Sequence, residues 1–387
     1  VSRGLGDVYK RQVMKVTHIF WSLGFGGIET MLVNIANAQA EAGSEVSVLI
    51  INKLYEQSLV NSLDKRVNLV FLNRKKGAIT PWFIVRLNRI LKRSKPDVIH
   101  LHRSDLYHFV WGKKLKSNVC ITLHALPKGL VRREGVMHIV WRKIKKRSVL
   151  YSNVVDMDRI PHVFTISEVV QKTLYDNYGV ESTVVCNGIV TSCFVSRPKT
   201  MPKGQLRVVM VSRLEHDKKG QDLLIRAAAA LQGTVTVDFI GIGSSMEYLK
   251  QFTAELHAET YVRFLGKQTQ DYVAAHLTDY DLFVQPSRWE GFGLTVAEAM
   301  AAGVPVLVSE GQGPAEVTQG SRYGWLFANG DADDLQRQIV FIKENYGEAM
   351  TKADEAKDYV RNTYDVSVTA RAYLQEYEKI VCGCPKS

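Results

Sequence analysis

The sequence has few features that would place it in a membrane or an oxidising compartment. No apolar run approaches the roughly 18 residues that a membrane-spanning helix needs. The five cysteines, at positions 120, 186, 193, 382 and 384, form no CxxC pair, and such an odd, scattered set is a poor disulfide framework. Neither half shows GxGxxG opening a βαβ unit, which argues against a dinucleotide-dependent oxidoreductase. These absences predict a cytoplasmic protein with reduced thiols.

The composition is that of a soluble globular protein. The chain has 387 residues, of which 46% are hydrophobic and 23% are charged. Because this length exceeds what one hydrophobic core supports, we expect two domains. Residues 1–13 show neither a strand nor a helix period, and we interpret them as a non-native or disordered leader outside the fold.

The net charge of +11 is unevenly distributed. Residues 13–195 contain 26 Lys and Arg against 13 Asp and Glu, a surplus of +13, whereas residues 196–387 contain 21 against 25, a balance of −4. The basic half suggests nucleic acid, an anionic membrane surface or a phosphorylated substrate as its partner. Its cations are not interleaved with a series of stacking aromatic residues, which argues against nucleic acid.

Strand-like and helical segments alternate through both halves, and the pattern restarts after the polar segment 196–206, which we interpret as a linker. This alternation predicts an α/β protein of two doubly wound domains facing an interdomain cleft. Ligands in such sheets bind outside the carboxyl ends of the strands, so the cleft is the expected active site. We predict an N-terminal domain at 14–195, a C-terminal domain at 207–365, and a last helix with a tail, 366–387, that returns to the first domain.

Two loops that follow predicted strands carry residues suited to anions. In "SLGFGGIET", Gly26 and Gly27 allow close backbone approach at a helix N-terminus, although a glycine-rich turn alone is equally compatible with a structural role. In "SRLEHDKKG", Arg213 and Lys219 lie six positions apart across a turn. Two fixed cations suit a diphosphate whose charge grows as it leaves, and a solvated basic loop is the alternative.

The stretch "RWEGFGLTVAEAM", at 288–300, places one glutamate on a glycine turn and another in the helix that follows. Thr295 and Glu298 have the spacing of a capping box, which is a structural alternative for Glu298 but leaves Glu290 unexplained. A carboxylate accepts hydrogen bonds from sugar hydroxyls, so two such groups beside a pair of cations suit a sugar joined to a diphosphate.

Three histidines, His100, His102 and His124, lie at the ends of predicted strands. A histidine in this position is more often structural than catalytic, and we expect two of the three to be structural. The sequence "DMD" at 156–158 resembles a metal-binding Asp-x-Asp motif, but an ordinary loop is the favoured interpretation. We predict no metal and no cofactor.

Together these motifs resemble those of the retaining glycosyltransferases of family 4, which have the two-domain GT-B fold. The similarity runs from Met14 over essentially the whole chain: "EGFGLTVAEAM" matches the family's Glu-x7-Glu motif, "SRLEHDKKG" its phosphate loop, "GGIE" its glycine turn, and "PDVIHLH" and "CNGI" its usual strand ends. Val190 follows "NGI" where the family commonly has an Asp shortly after Asn-Gly, and Gln312 interrupts the usual glycine pair. Glu316 stands where the family has a carboxylate.

The resemblance implies a role for each candidate residue. Glu298 would hold the nucleotide ribose and Glu290 the hydroxyls of the donor sugar, while Arg213 and Lys219 stabilise the departing diphosphate. His124 would be a polar support near the donor sugar and not an obligatory base. The other donor-binding residues would be Gly26, Gly27, Gly241, Gly243, Phe292, Gly293 and Leu294.

The resemblance also implies transfer without a metal and with retention of anomeric configuration. No unclaimed carboxylate presents itself as a covalent nucleophile, which favours front-face attack. The nucleotide-sugar would bind the C-terminal half, and a glycan or lipid-linked acceptor the basic N-terminal half. UDP-sugar is favoured on family frequency alone, and a cell-surface polysaccharide or glycolipid is the expected product. The alternatives are a GT-B nucleotide-sugar epimerase and a catalytically silent sugar-nucleotide-binding protein.

A contact with an anionic membrane surface is predicted from the basic half. The segment "PWFIVRLNRILKR" has apolar residues at helical spacing with arginines on another side, and for this element a helix packed on the sheet is the favoured interpretation. The segment "WRKIKKR" at 141–147 adds five cations. These charges predict a protein that can lie peripherally on the inner face of the cytoplasmic membrane. The apolar residues of the helix are Phe83, Ile84, Leu87, Ile90 and Leu91.

Overall fold

The computed structural model describes residues 13–24, 26–75, 81–125, 159–197, 201–202 and 204–383. The strands of its first sheet are β1 (Lys15–Phe20), β2 (Glu45–Asn52), β3 (Asn68–Arg74), β4 (Val98–Leu101), β5 (Val119–Leu123), β6 (His162–Thr165) and β7 (Thr183–Val184). The helices that accompany them are α1 (Gly27–Glu41), α2 (Gln57–Asn61), α3 (Trp82–Ser94), α4 (Lys113–Lys116) and α5 (Glu168–Tyr178).

The second sheet is built in the same way. Its strands are β8 (Leu206–Val211), β9 (Val235–Ile240), β10 (Val262–Gly266), β11 (Leu282–Gln285), β12 (Val306–Ser309) and β13 (Trp325–Phe327). Its helices are α6 (His216–Lys219), α7 (Gln221–Ala230), α8 (Met246–Glu255), α9 (Gln270–His276), α10 (Leu294–Ala301) and α11 (Gly313–Val317). Three further helices close the chain: α12 (Ala332–Glu344), α13 (Tyr346–Thr363) and α14 (Val366–Cys382).

Both sheets have a doubly wound strand order. The first runs β3-β2-β1-β4-β5-β6-β7 and the second β10-β9-β8-β11-β12-β13. The order reverses beside the first strand of each sheet, which is the point where such folds bind ligands. In the second sheet that point lies between β8 and β11, which pair in parallel. The predicted fold class, two Rossmann-like α/β domains, is confirmed, and the cleft between the domains stays a prediction.

The hydrophobic core of the second sheet lies on both of its faces. In β8, Val208 and Met210 pack in one cluster of buried residues, whereas Val209 packs in another, because successive side chains point to opposite faces. The second cluster also contains Ile166, which lies between β6 and α5, and Val170 of α5. This shared core ties the segment around α5 to the second sheet.

The described residues divide into two compact units. The first unit contains the described residues of 1–122, 159–162 and 370–383, and the second contains 123–125 and the described residues of 163–369. The boundaries inferred from the sequence stay a prediction. In the part of the chain that is described, no helix is long and apolar enough to span a membrane.

Candidate functional site

The loop that follows β8 is fixed against the loop that follows β11. Gly220 has a φ of +70°, and a Cβ at this position would lie 1.9 Å from the carbonyl oxygen of Pro286. Only glycine accommodates that φ and that approach without strain. Arg288 adds two hydrogen bonds to the Asp222 carboxylate, at 2.7 and 2.8 Å, and one to the carbonyl oxygen of His216 at 2.8 Å. The side chains on the two loops therefore have defined relative positions.

Lys219 and Glu290, which were both predicted as site residues, meet at this junction. The Lys219 ammonium donates a hydrogen bond to the Glu290 carboxylate. Their side chains are only 12% and 19% exposed, so water screens the pair weakly. The backbone of Glu290 is also held, because its N–H donates to Gln312 Oε1 at 3.1 Å and its carbonyl accepts from the Gly313 N–H at 2.9 Å. Gln312, which departs from the family pattern, thus positions the glutamate turn.

The same loop carries two more cations. Arg213 is 66% exposed along its side chain and pairs with Glu215 at 3.2 Å. Lys218, which was not predicted, has its ammonium 4.7 Å from the centre of the Trp289 ring. Burial lowers the pKa of Lys218, and the neighbouring charge of Lys219 lowers it further. This concentration of positive charge is suited to an anionic ligand.

Helix α10 begins without a capping box. Its N-cap residue is Gly293, with a φ of +95°, and no side chain caps the helix at that point. A Cβ on Gly293 would lie 2.9 Å from the Cγ of Pro314, so packing requires glycine here. Thr295 lies inside the first turn, and its hydroxyl donates to Gln285 Oε1 at 3.3 Å. The capping-box interpretation of Glu298 is therefore wrong.

Glu298 points into the interior of the second unit, where only 9% of the residue is exposed. Its carboxyl group accepts a hydrogen bond from Gln270 Nε2 at 2.9 Å. Burial raises the pKa of Glu298 to about 7, while the bond from Gln270 acts in the opposite direction. Additional hydrogen-bond donors, such as the two neighbouring hydroxyls of a ribose, would stabilise its ionised form. Gln270 was not predicted, because a glutamine at the start of α9 belongs to no pattern.

Gly241 and Gly243 have a packing function beside the cationic loop. A Cβ at Gly241 would lie 1.9 Å from the carbonyl oxygen of Ser212, and one at Gly243 would lie 2.3 Å from that of Leu214. These close approaches hold the backbone on either side of Arg213. Their direct contact with a donor stays a prediction.

The glycine turn before α10 has Phe292 at its centre. The Phe292 side chain is buried and packs edge-on against Tyr364, with ring centroids 5.4 Å apart, so a contact with a donor would come from its backbone. Leu294 is half-buried. The carbonyl oxygen of His124 lies 3.4 Å from where a Cβ on Gly291 would stand, which places His124 beside this turn. Burial lowers the pKa of His124 to about 3, so its imidazole is neutral and weakly basic.

Glu316 is engaged by a helix terminus. Its carboxylate accepts the backbone N–H groups of Glu168 at 2.8 Å and Val169 at 2.5 Å, at the start of α5. Ser167 caps the same helix and donates its hydroxyl to the carbonyl oxygen of Gly291 at 2.6 Å. A carboxylate at a helix N-terminus is stabilised by the free N–H groups and the helix dipole. Glu316 therefore joins α11 to α5, and Ser167 joins α5 to the turn that contains Gly291.

In the first unit, Gly26 is the N-cap residue of α1, which begins at Gly27. A Cβ on Gly26 would lie 2.5 Å from Glu29 Oε2, so the carboxylate folds back over the glycine turn. A negative charge in the first turn is favourable for the helix dipole and unfavourable for a second anion. The structure thus gives this turn a structural explanation, and its binding of a donor stays a prediction.

Among the described residues, one group of histidines is close enough together to hold a metal ion. It consists of His18, His100 and His102, which are buried in the first unit with their ligand atoms within 4.8 Å of one another. His18 Nδ1 lies 3.0 Å from His102 Nε2, and the second nitrogen of His18 is 2.8 Å from Gln39 Oε1. The two nitrogens of His100 contact hydroxyl groups at 2.6 and 2.7 Å, those of Tyr377 and Thr122. Hydrogen bonds thus occupy both ring nitrogens of His18 and of His100, which fits the predicted structural role of His100. The "DMD" motif and the basic segment 141–147 lie outside the described residues.

Two family models match successive parts of the chain. Residues 25–192 match the model described as Glycosyltransferase Family 4, and residues 195–364 match the one described as Glycosyl transferases group 1. Each half thus has a counterpart among glycosyltransferases.

Individual proteins show the same similarity. The amylovoran biosynthesis glycosyltransferase AmsK of Erwinia amylovora is 28% identical over 184 residues. The match covers 45% of this chain and 45% of that protein. An N,N'-diacetylbacillosaminyl-diphospho-undecaprenol alpha-1,3-N-acetylgalactosaminyltransferase of Campylobacter jejuni is 23% identical over 375 residues, 90% of this chain and 94% of that protein. The crystal structure of Anabaena HepE in complex with UDP and glucose has a TM-score of 0.72 at 20% identity, covering 94% of this chain and 99% of that one.

Proposed function

We propose that this chain, whose two halves match glycosyltransferase family models, is a GT-B glycosyltransferase that transfers a sugar from a nucleoside diphosphate sugar with retention of configuration. The acceptor is a glycan or a lipid-linked glycan. The observation that carries the proposal is the weakly hydrated pair of Lys219 and Glu290. It joins a cation suited to a leaving phosphate with a carboxylate suited to sugar hydroxyls. Glu298 adds a hydrogen-bond acceptor for the ribose.

The reaction breaks the bond between the anomeric carbon and the diphosphate oxygen. A bond from the acceptor hydroxyl oxygen to the same carbon replaces it, and the hydroxyl proton goes to the departing diphosphate. Negative charge grows on the diphosphate in the transition state, and Arg213 and Lys219 stabilise it there without a metal. Lys219 is pre-oriented by its bond to Glu290, which reduces the reorganisation that the step requires.

Front-face attack is favoured over a covalent intermediate because the carboxylates of this site are already engaged. Glu290 is paired with Lys219, Glu298 is bonded to Gln270, and Glu316 is bonded to the N-terminus of α5. His124, with its lowered pKa of about 3, is too weak a base to accept the acceptor proton and serves as polar support.

UDP is the proposed nucleotide, since the similarly folded HepE has been crystallised with UDP and glucose. A lipid-linked acceptor is supported by the Campylobacter relative, whose name specifies a diphospho-undecaprenol acceptor. On this basis we propose that the protein acts in cell-surface polysaccharide or glycolipid synthesis.

Incubation with UDP-, GDP- and ADP-sugars without acceptor is the test. Slow hydrolysis of a UDP-sugar is expected, with release of UDP and of a free sugar that initially keeps the anomeric configuration of the donor, as observed by NMR. Release of an altered sugar would favour the epimerase alternative. If UDP-sugars bind in calorimetry but no sugar is released or transferred, the silent binding protein is the better interpretation.

A further inference from the structure

Helix α3 does not offer its apolar stripe to a membrane. Phe83, Ile84, Leu87 and Leu91 are buried in the first unit, so the interpretation of α3 as a packed helix is right. What α3 exposes is Trp82 at its first position, with 74% of the residue accessible to water. Farther along the helix it also exposes the cations Arg89, Lys92 and Arg93.

A second exposed tryptophan is fixed beside α3 by a buried amide. Trp111 is 47% exposed, and its backbone N–H donates to Asn88 Oδ1 at 2.7 Å. The amide of Asn88 is buried and donates to the carbonyl oxygens of Ile84 and Phe109, at 2.8 and 2.7 Å. The bond from Trp111 and the bond to Phe109 hold the segment before α4 against α3, while the bond to Ile84 fixes the Asn88 amide within the helix. The position of Trp111 on the surface is therefore built into the fold.

Trp111 lines two grooves that also contain cations. A groove of about 470 Å³ lies on the α3 side and one of about 610 Å³ on the α4 side. Among the described residues that line the two grooves there is no Asp or Glu. Lys116 extends over the Tyr107 ring, with its ammonium 4.6 Å from the ring centroid. The cations that line the two grooves are Arg89, Lys92, Arg93, Lys113, Lys116 and Arg159.

We propose that this surface, defined by Trp82, Trp111 and the six groove-lining cations, docks the protein on a bilayer that contains anionic lipids. The inference goes beyond the transfer reaction and can be tested without it. The grooves receive lipid phosphates, and the two indoles lie at the level of the headgroups. Trp is enriched at that level because its ring is apolar and its N–H is polar.

The exposed tryptophans decide between a bilayer and a soluble polyanion. Cations alone would suit either ligand, and each contributes roughly 1 kcal/mol near an anionic membrane surface. A soluble polyanion without apolar groups would gain little from an indole as exposed as that of Trp82. A bilayer buries such a ring in its interface, so the cations and the tryptophans of this surface would both contact the same anionic bilayer.

Co-sedimentation with vesicles tests the docking surface. The full chain is expected to bind phosphatidylcholine vesicles that contain phosphatidylglycerol, to bind pure phosphatidylcholine much less, and to be released as salt rises. Lys113→Ala with Lys116→Ala is expected to weaken binding at low salt by about fivefold for each cation removed. Trp82→Ala with Trp111→Ala is expected to weaken the binding that persists at high salt.

Arg361→Ala with Lys250→Ala, two exposed cations of the second unit, is the charge-matched control and should bind like wild type. Equal loss in the control and the lysine variant overturns the assigned surface. Equal binding to neutral and anionic vesicles overturns the docking. An unchanged affinity of the tryptophan variant, with release of the protein from vesicles by added pyrophosphate, would assign the cations to a soluble anion instead. Thermal melting of each variant separates a local effect from unfolding.

Discussion

Lys219→Ala is expected to lower the turnover of glycosyl transfer by on the order of a hundredfold, and Arg213→Ala by a similar factor. In the proposed reaction both side chains stabilise charge that grows on the departing diphosphate, so their removal raises the transition-state energy more than the ground-state energy. Steady-state kinetics with the UDP-sugar identified by the hydrolysis screen gives kcat and KM separately. The expected loss is mainly in kcat.

The two variants should nevertheless differ, because their surroundings differ. Arg213 is exposed and pairs with Glu215, so its loss leaves no buried charge without a partner. Lys219 is the partner of Glu290 in a weakly hydrated pair, so Lys219→Ala also leaves that carboxylate uncompensated. Part of the Lys219 effect should therefore act through Glu290.

A double variant measures how much of the Lys219→Ala defect acts through Glu290. Lys219→Ala combined with Glu290→Gln removes the uncompensated charge, and its defect is expected to be much smaller than the product of the two single defects. Lys172→Ala is a matched control, since this exposed lysine of α5 pairs with Asp176 on the surface of the same unit. If Arg213→Ala and Lys219→Ala both keep activity within about threefold of wild type, these two cations do not stabilise the departing diphosphate.

The sequence predicted the parts of this site that depend on local spacing. A glycine after two lysines, following a strand, is enough to place Arg213 and Lys219 on a tight loop, and the structure has the turn at Gly220. Two parallel α/β sheets followed in the same way from alternating segments. Such features depend on neighbours within a few positions, which a single sequence displays.

The contacts that tune the site could not be predicted, because their partners are distant in the chain. Gln270 bonds to Glu298 across 28 positions, and Lys219 contacts Glu290 across 71. The capping-box interpretation was wrong for the same reason, because a residue distant in the chain packs against the start of α10. A local pattern favoured Thr295 as a cap, but the approach of Pro314 to Gly293 sets where α10 begins.

Glu298→Gln is expected to weaken the binding of free UDP, whereas Glu290→Gln should leave it nearly unchanged and reduce transfer. Ribose is common to the donor and to the product UDP, so a ribose contact affects both, and a contact with the donor sugar affects the donor alone. Calorimetric titration with UDP, together with the rate of transfer, separates the two roles. Equal losses of UDP affinity in both variants would contradict the division.

The pH dependence of UDP binding gives a sharper test, because the pKa of Glu298 is raised to about 7 in the free protein. If ribose hydroxyls donate to the ionised carboxylate, then at a pH below that pKa the carboxyl group must lose its proton when UDP binds. Affinity should then rise by about tenfold from pH 6 to pH 8 in wild type. The diphosphate also titrates near pH 6, so the same measurement on Glu298→Gln isolates the carboxyl group.

The sign of the stability change provides the independent check on Glu298. A carboxyl group whose folded-state pKa lies above its unfolded value of 4.5 costs no stability below pH 4.5, where both states are protonated. As pH rises from 4.5 to 7, the unfolded chain ionises first and folding loses free energy. Glu298→Gln removes that loss, so at pH 8 the free energy of unfolding of the unliganded variant should exceed that of wild type by up to roughly 3 kcal/mol. The same variant should bind UDP more weakly than wild type. A carboxylate that served the helix alone would give the opposite pair of results, a lower melting temperature with unchanged UDP affinity, and thermal melts at pH 5 and pH 8 distinguish the two.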